Sequence, residues 1–187
     1  MAHTTPAEIT DQIKAFCRIL NADDEPSFVP VVPVRNARVD DCYFNVGIAE
    51  KAGGGEPLHG WTIWIFQNDE EPLFLDAEHH SVWRKPDRKL VDVSPRPDGE
   101  TQILFHPDPE RVYQGSAIPS QFFALKDDPT LAKYLQLLPW FNRLRMGTEP
   151  IDPTISDWQR LQLSQTRMNR LINLARALGL PVHEYDG

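Results

Sequence analysis

The chain is short of cysteine, of net positive charge and of long apolar runs. Only two of its 187 residues are cysteine. That is too few for a disulfide framework, and no CxxC pair offers a zinc knuckle. Acidic side chains outnumber basic ones by 27 to 19, for a formal net charge of −8. This balance argues against a non-specific DNA or RNA binder, because phosphate binding is mainly neutralisation by Lys and Arg. No stretch approaches the ~18 consecutive apolar residues of a membrane-spanning helix. The first residues, MAHTTPAEITDQ, have neither a basic start nor an apolar core, so no secretory signal is read there. A cytoplasmic setting with reduced thiols is expected, with signal-independent export and oligomeric state left open.

Proline, by contrast, is abundant at 17 residues, while the apolar fraction of 41% is that of an ordinary globular protein. Disordered Pro-rich chains lack aromatics, and this one has five Trp and nine Phe. We read a single folded domain over 1–187 whose element boundaries are marked by proline. A chain of this length buries enough surface to need no covalent staples.

Residues 6–20 carry Ile9, Ile13, Phe16, Cys17 and Leu20 at helical spacing, with Thr5 as the expected N-cap. A Pro-punctuated connector follows, with a possible edge strand at 29–34. Asp40 or Asp41 can cap a short helix that ends at three glycines, Gly53 to Gly55. Four strand candidates come next, at 60–67, 73–84, 89–94 and 101–106, spaced as an antiparallel meander. A further strand is possible at 121–125. Helices are expected at 129–138, stopped or kinked by Pro139, and from a Ser156 cap to Ala177. The last helix carries Trp158, Leu161, Met168, Leu171, Ile172, Ala175 and Leu178 on one face, and its arginines 167, 170 and 176 on the solvated side. The class is α+β: helices on an antiparallel sheet of about four to five strands, with a core at 35–125 and a helical extension at 127–187.

Three residues carry chemistry. Cys42 opens the predicted helix, where free N–H groups and the helix dipole favour thiolate over thiol. Asp40 and Asp41 oppose that effect. Cys17 lies on the apolar face of the first helix and reads as packing. His80 lies mid-strand in DAEHHSVW, and strand alternation allows only one of its two histidines to face the core with Val82. That is His80, and His79 is expected to be exposed. Asp92, between two valines in KLVDVSP, is costly to bury without a partner. If 73–84 and 89–94 pair as a hairpin, residues whose numbers sum to about 172 lie opposite, which sets His80 against Asp92. A nucleophile, a base and an orienting carboxylate result. The Cys42 N–H and the Asn36 amide are candidate oxyanion donors, although Asn36 equally suits a turn before the helix. Trp61 and Trp83 are candidate walls of a substrate cleft. No cofactor is called for, and the Gly53 to Gly55 run lacks a phosphate-binding pattern.

Cys, His and Asp in this chain order, with the Cys on a helix and the others on neighbouring antiparallel strands, resemble the papain-like superfamily. The segments DDCYFNV, AEHHSVW and LVDVSP carry the likeness, over residues 35–106. It is similar above all to the transglutaminase-like and NlpC/P60-like branches and the N-terminal glutamine amidases. Asn36, six residues before Cys42, stands where that layout usually has Gln, and the CGSCW-type motif is absent. The resemblance implies a papain-like or transglutaminase-like core with Cys42 as nucleophile, His80 as base and Asp92 as orienter.

The expected activity is acyl transfer from a peptide or protein amide through a thioester: amidase, deamidase or peptidase, or transfer to an amine. Two alternatives stand beside it. One is a metal-dependent enzyme using His80, Asp92 and His59 or His106, although no HxH or HExxH spacing supports it. The other is a non-catalytic adaptor using the last helix.

Overall fold

The computed structural model describes residues 3–182. In chain order they form β1 (His3–Thr4), α1 (Asp11–Leu20), β2 (Ser27–Pro30), α2 (Cys42–Gly53), β3 (Glu56–Gln67), β4 (Pro72–Arg84), β5 (Leu90–Val91), β6 (Gln102–Pro107), β7 (Gln121–Ala124), α3 (Pro129–Arg145) and α4 (Asp157–Ala177). The fold is α+β, with more strands than the sequence suggests.

The two long strands, β3 and β4, are a hairpin in which His80 lies opposite Gly60 and His79 opposite Trp61. The rest is not the expected meander. β6 turns back to the far side of β3, and β2 adds outside it, giving the order β2-β6-β3-β4-β5. The two ends of that path then meet. Val31 forms a parallel bridge with Asp92, Asp92 N–H donates to Pro30 O, and Val32 N–H donates to Asp92 O. Five strands thus close on themselves through this bridge. Val29, Leu58, Val82, Ile103 and Phe105 fill the interior.

Strand alternation divides the other layers. The face carrying Trp61, Ile63, Leu75 and Ala77 packs on Ile13, Phe16 and Cys17 of α1. α2 covers the same side further along, with Val46 and Ala49 against Val93, Val91 and Trp83. On the opposite face Phe74 and its strand neighbour Phe66 pack under α3 and α4. This leaves the stretch from Trp64 and Asp76 to Gly60 and His80 between the helical extension and the closed barrel.

Local chemistry explains where expectation and structure part. The first helix starts at Asp11, capped by Thr10 rather than Thr5. Thr5 N–H and the Thr4 hydroxyl both donate to the Glu100 carboxylate, so this segment joins β3 as a strand. α3 runs through Pro139, whose neighbours Leu138 and Trp140 are buried and hold both halves down. α4 has the expected Ser156 cap, with Gln159 completing a capping box. Only its C-terminal part, Leu171, Ala175 and the following Leu178, reaches the core. Trp158 and Leu161 are exposed, because no element among the described residues packs over the first turns of that stripe. No helix among the described residues is long and apolar enough to cross a membrane.

Gly60 fixes the depth of the barrel at the point that faces His80. A Cβ there would meet His106 O, and would lie 2.7 Å from the Phe105 ring and 2.9 Å from Pro107 Cα. Two of these are backbone atoms that cannot swing aside. Gly60→Ala is therefore expected to lower unfolding stability by about 1–3 kcal/mol, read as a lower urea midpoint. An unchanged midpoint would mean that β3 and β6 are free to separate.

Candidate active site

Cys42 is the first residue of α2, and Asp41 is its N-cap. No side chain caps this helix: the Asp41 carboxylate points to Arg38, 3.5 Å away, instead. The first N–H groups of α2 are thus not consumed by a cap and can receive developing negative charge. α2 ends at Gly54, whose φ of +71° suits glycine.

His80 points to the barrel side of β4, with a side chain 10% exposed. Its Nε2 lies 3.2 Å from Asp92 Oδ1. The Cys42 thiol lies near enough to the same imidazole to raise its pKa, although the two form no hydrogen bond among the described residues. With Nε2 directed to Asp92, Nδ1 is the nitrogen not engaged by the carboxylate. Cys42, His80 and Asp92 are therefore brought together.

The pairing differs from the expected hairpin. β5 is only two residues long, and its register is offset by two: Trp83 pairs with Val91 and Arg84 with Leu90. Asp92 consequently meets His80 diagonally rather than directly, a reach long side chains can span.

Asp92 is fully buried and fully satisfied. Oδ1 accepts from Ser94 N–H at 3.0 Å as well as facing His80. Oδ2 accepts two bonds from Arg96, at 2.7 Å from Nη2 and 3.1 Å from Nε. Burial alone would raise the Asp92 pKa, but the His80 and Arg96 charges and these hydrogen bonds bring it down to about 2. For His80, burial works downwards, and the Asp92 carboxylate with help from Cys42 outweighs it, lifting the pKa to about 9. His80 and Asp92 are thus held as an ion pair across the neutral range.

Three supporting residues carry no signature in the sequence. Asn45, one turn after Cys42 and fully buried, accepts from Arg38 N–H and donates to Arg38 O and to Ser94 Oγ. It ties α2 to the residue whose N–H holds Asp92. Arg96 is four residues beyond Asp92 and also lies over the Trp64 ring, 5.2 Å from its centroid. His79, expected to be exposed, is buried. Its Nδ1 lies 2.6 Å from Tyr43 Oη and its Nε2 2.7 Å from Arg111 O. Only the adjacency of the two histidines hinted at this.

Other candidates take different places. Asn36 sits in an exposed turn with φ +65°, where Ala37 N–H donates to Val34 O, and its side chain makes no hydrogen bond among the described residues. Trp61 and Trp83 do not wall a cleft beside His80, because both lie on the opposite strand face. Trp61 is buried against α1 and donates to Asp108. Trp83 packs on α2 and donates to Gly54 O. Trp64 is the tryptophan on the His80 face, donating to the exposed Glu78 at 3.3 Å. His59 and His106 belong to the same face as Trp61, away from His80. Among the described residues no group of three or more His, Cys, Asp or Glu is placed to hold a metal ion. Comparison with protein-family models, with curated proteins and with solved structures gives no match.

The two pKa shifts set a pH profile for folding. Asp92 at about 2 is below its unfolded value of ~3.9. Its contribution is complete above pH ~4 and fades as pH falls through about 2. His80 at about 9 is above its unfolded value of ~6.5. Its contribution is complete below pH ~6.5 and fades as pH rises through about 9. Asp76, pushed up to about 8 by burial and by Glu78, adds its own alkaline fall, beginning near pH 4. Urea unfolding of the wild type and His80→Gln should therefore show a stability difference that shrinks between pH 6.5 and 9. A difference constant over that range would contradict the raised His80 pKa.

Proposed function

We propose that the chain is a cysteine-dependent acyl-transfer enzyme, acting on an amide as an amidase, deamidase or peptidase. One observation carries this reading. A single imidazole is paired with a buried carboxylate and neighbours a thiol at a helix N-terminus without a side-chain cap. The layout also resembles the papain-like superfamily in chain order and element types.

The chemistry follows from these positions. The minor neutral form of His80 takes the Cys42 proton, restoring the imidazolium that Asp92 stabilises. The thiolate attacks the amide carbonyl carbon, and N–H groups at the start of α2 receive the oxyanion. The imidazolium then gives its proton to the departing amine as the C–N bond breaks, leaving a thioester on Cys42. Water attacks the thioester, His80 takes a proton from it, and the carboxylic acid leaves as the thiol is restored. An amine in place of water yields a new amide.

The adaptor reading retains one observation of its own, the exposed Trp158 and Leu161 at the start of α4. Iodoacetamide alkylation separates the two. An ordinary cysteine with pKa ~8.5 has less than about 1% thiolate at pH 6. Cys42 is expected to react at pH 6 at least about tenfold faster than such a thiol, and His80→Ala to lose that advantage. Cys17 is the internal control, since burial pushes its pKa up to about 12. Ordinary reactivity of Cys42 would reject the enzyme reading. With activation established, a panel of peptide, glutamine and protein amide substrates, each with and without added amine, assigns the reaction. Cys42→Ala should abolish turnover.

A further inference from the structure

Two consecutive residues of α2 meet two consecutive residues of β4. Cys42 neighbours His80, and Tyr43 hydrogen-bonds His79. Because adjacent strand residues point to opposite faces, the first turn of α2 is held from both sides of one strand. β4 is free at this point: β7 pairs with it over 74–77 and β5 over 83–84, which leaves 78–82 for the helix end.

The hydrogen bonds fix the chemistry of the second contact. The Arg111 carbonyl can only accept, so His79 Nε2 carries the proton. Nδ1 must then accept, and Tyr43 Oη donates to it at 2.6 Å. Burial keeps both groups in these forms. It lowers the His79 pKa to about 4 despite the Arg111 bond, and with neighbouring Cys42 and Tyr113 it raises that of Tyr43. Both ring nitrogens of His79 are occupied in its neutral form, so it does not compete with His80 as the base.

Packing reinforces the pair. The Tyr43 ring stacks on Tyr113 at 3.8 Å and 6°, and the edge-on Trp61 ring lies 5.2 Å from His79. Trp61 Nε1 and Arg111 Nε both reach Asp108, at 2.9 and 3.6 Å. The segment 108–113 is thereby strapped to the helix end through Tyr43 and His79.

We propose that Tyr43 and His79 are positioning residues: their hydrogen bond sets the first turn of α2 against β4 and so holds the Cys42 sulfur at the His80 imidazole. This rests on the acyl-transfer reading of the triad. Tyr43→Phe keeps the stack on Tyr113 and removes only the hydroxyl. His79→Gln retains an amide that can donate to Arg111 O but not the ring acceptor.

The test is the iodoacetamide rate of Cys42 at pH 6 and at pH 10, together with thermal unfolding, on wild type, both single variants and the double variant. At pH 6 each single variant is expected to lose about tenfold in rate, as displaced catalytic geometry commonly does. At pH 10, where thiols in general are ionised, all rates should agree within about twofold. The double variant should be no slower than the singles, because one bond is lost in every case. Lower melting temperatures with an unchanged ratio of pH 6 to pH 10 rates would overturn the proposal and leave a purely structural contact. If either single variant does not fold, the other decides by the same ratio. The wild type separates the two layers. Ordinary Cys42 reactivity there defeats the triad and this proposal together, while an activated wild type with unaffected variants defeats this proposal alone.

Discussion

The burial of the Asp92 carboxylate is the constraint on which the structure turns. A lone ionised carboxylate in an apolar interior costs several kcal/mol after relaxation, so Asp92 is tolerable only with every lone pair engaged. Ser94, Arg96 and His80 engage them. The same residue's backbone bonds to Pro30 and Val32, closing the strand path into a barrel. Side chain and main chain of one residue thus couple the completion of the fold to the completion of the site. A chain with the barrel open would lose the β2–Asp92 bonds and with them the position of the carboxylate.

Closure also explains why the thiol belongs where it is. α2 lies outside the barrel on Val91, Val93 and Trp83, while His80 and Asp92 point inside. Only the end of the helix, at the gap in the β4 edge, can reach an inward side chain. Cys42 is therefore the first helical residue by necessity as well as by its electrostatics. A cysteine one turn later would face Val93 or Ser94, as Val46 and Asn45 do. Asn45 uses that position to bind the loop before the helix to Ser94, and so completes a chain of bonds from α2 through Ser94 and Asp92 to His80.

Much of this was legible in residues close together in the chain. The start of α2, the β3–β4 hairpin, the inward direction of His80 and the Ser156 cap all follow from periodicity of 2 or 3.6 and from end signals. What was not legible depends on residues far apart. β6 returning to β3 and Asp92 bridging Val31 are pairings over 40 and more positions that no local pattern encodes. The offset of two residues between β4 and β5 preserves parity, so the sequence placed His80 and Asp92 on one face while misjudging their register. His79 was misjudged because alternation says which face a residue takes but not that a helix covers that face. Trp61 and Trp83 failed as cleft residues for the complementary reason, since parity with His79 already put them away from His80.

Arg96 shows how the charges around the triad are divided. It sits with Nη2 2.7 Å from Asp92 and 3.4 Å from His80 Nε2. With the ring proton on Nε2 both are donors, so the second approach is repulsive and the carboxylate between them is what makes it acceptable. The Arg96 guanidinium charge helps hold the Asp92 pKa down. It therefore keeps Asp92 ionised even when His80 has given up its proton. An aspartate held by histidine alone would lose its ion pair whenever the imidazole became neutral. Two cations on one carboxylate remove that dependence.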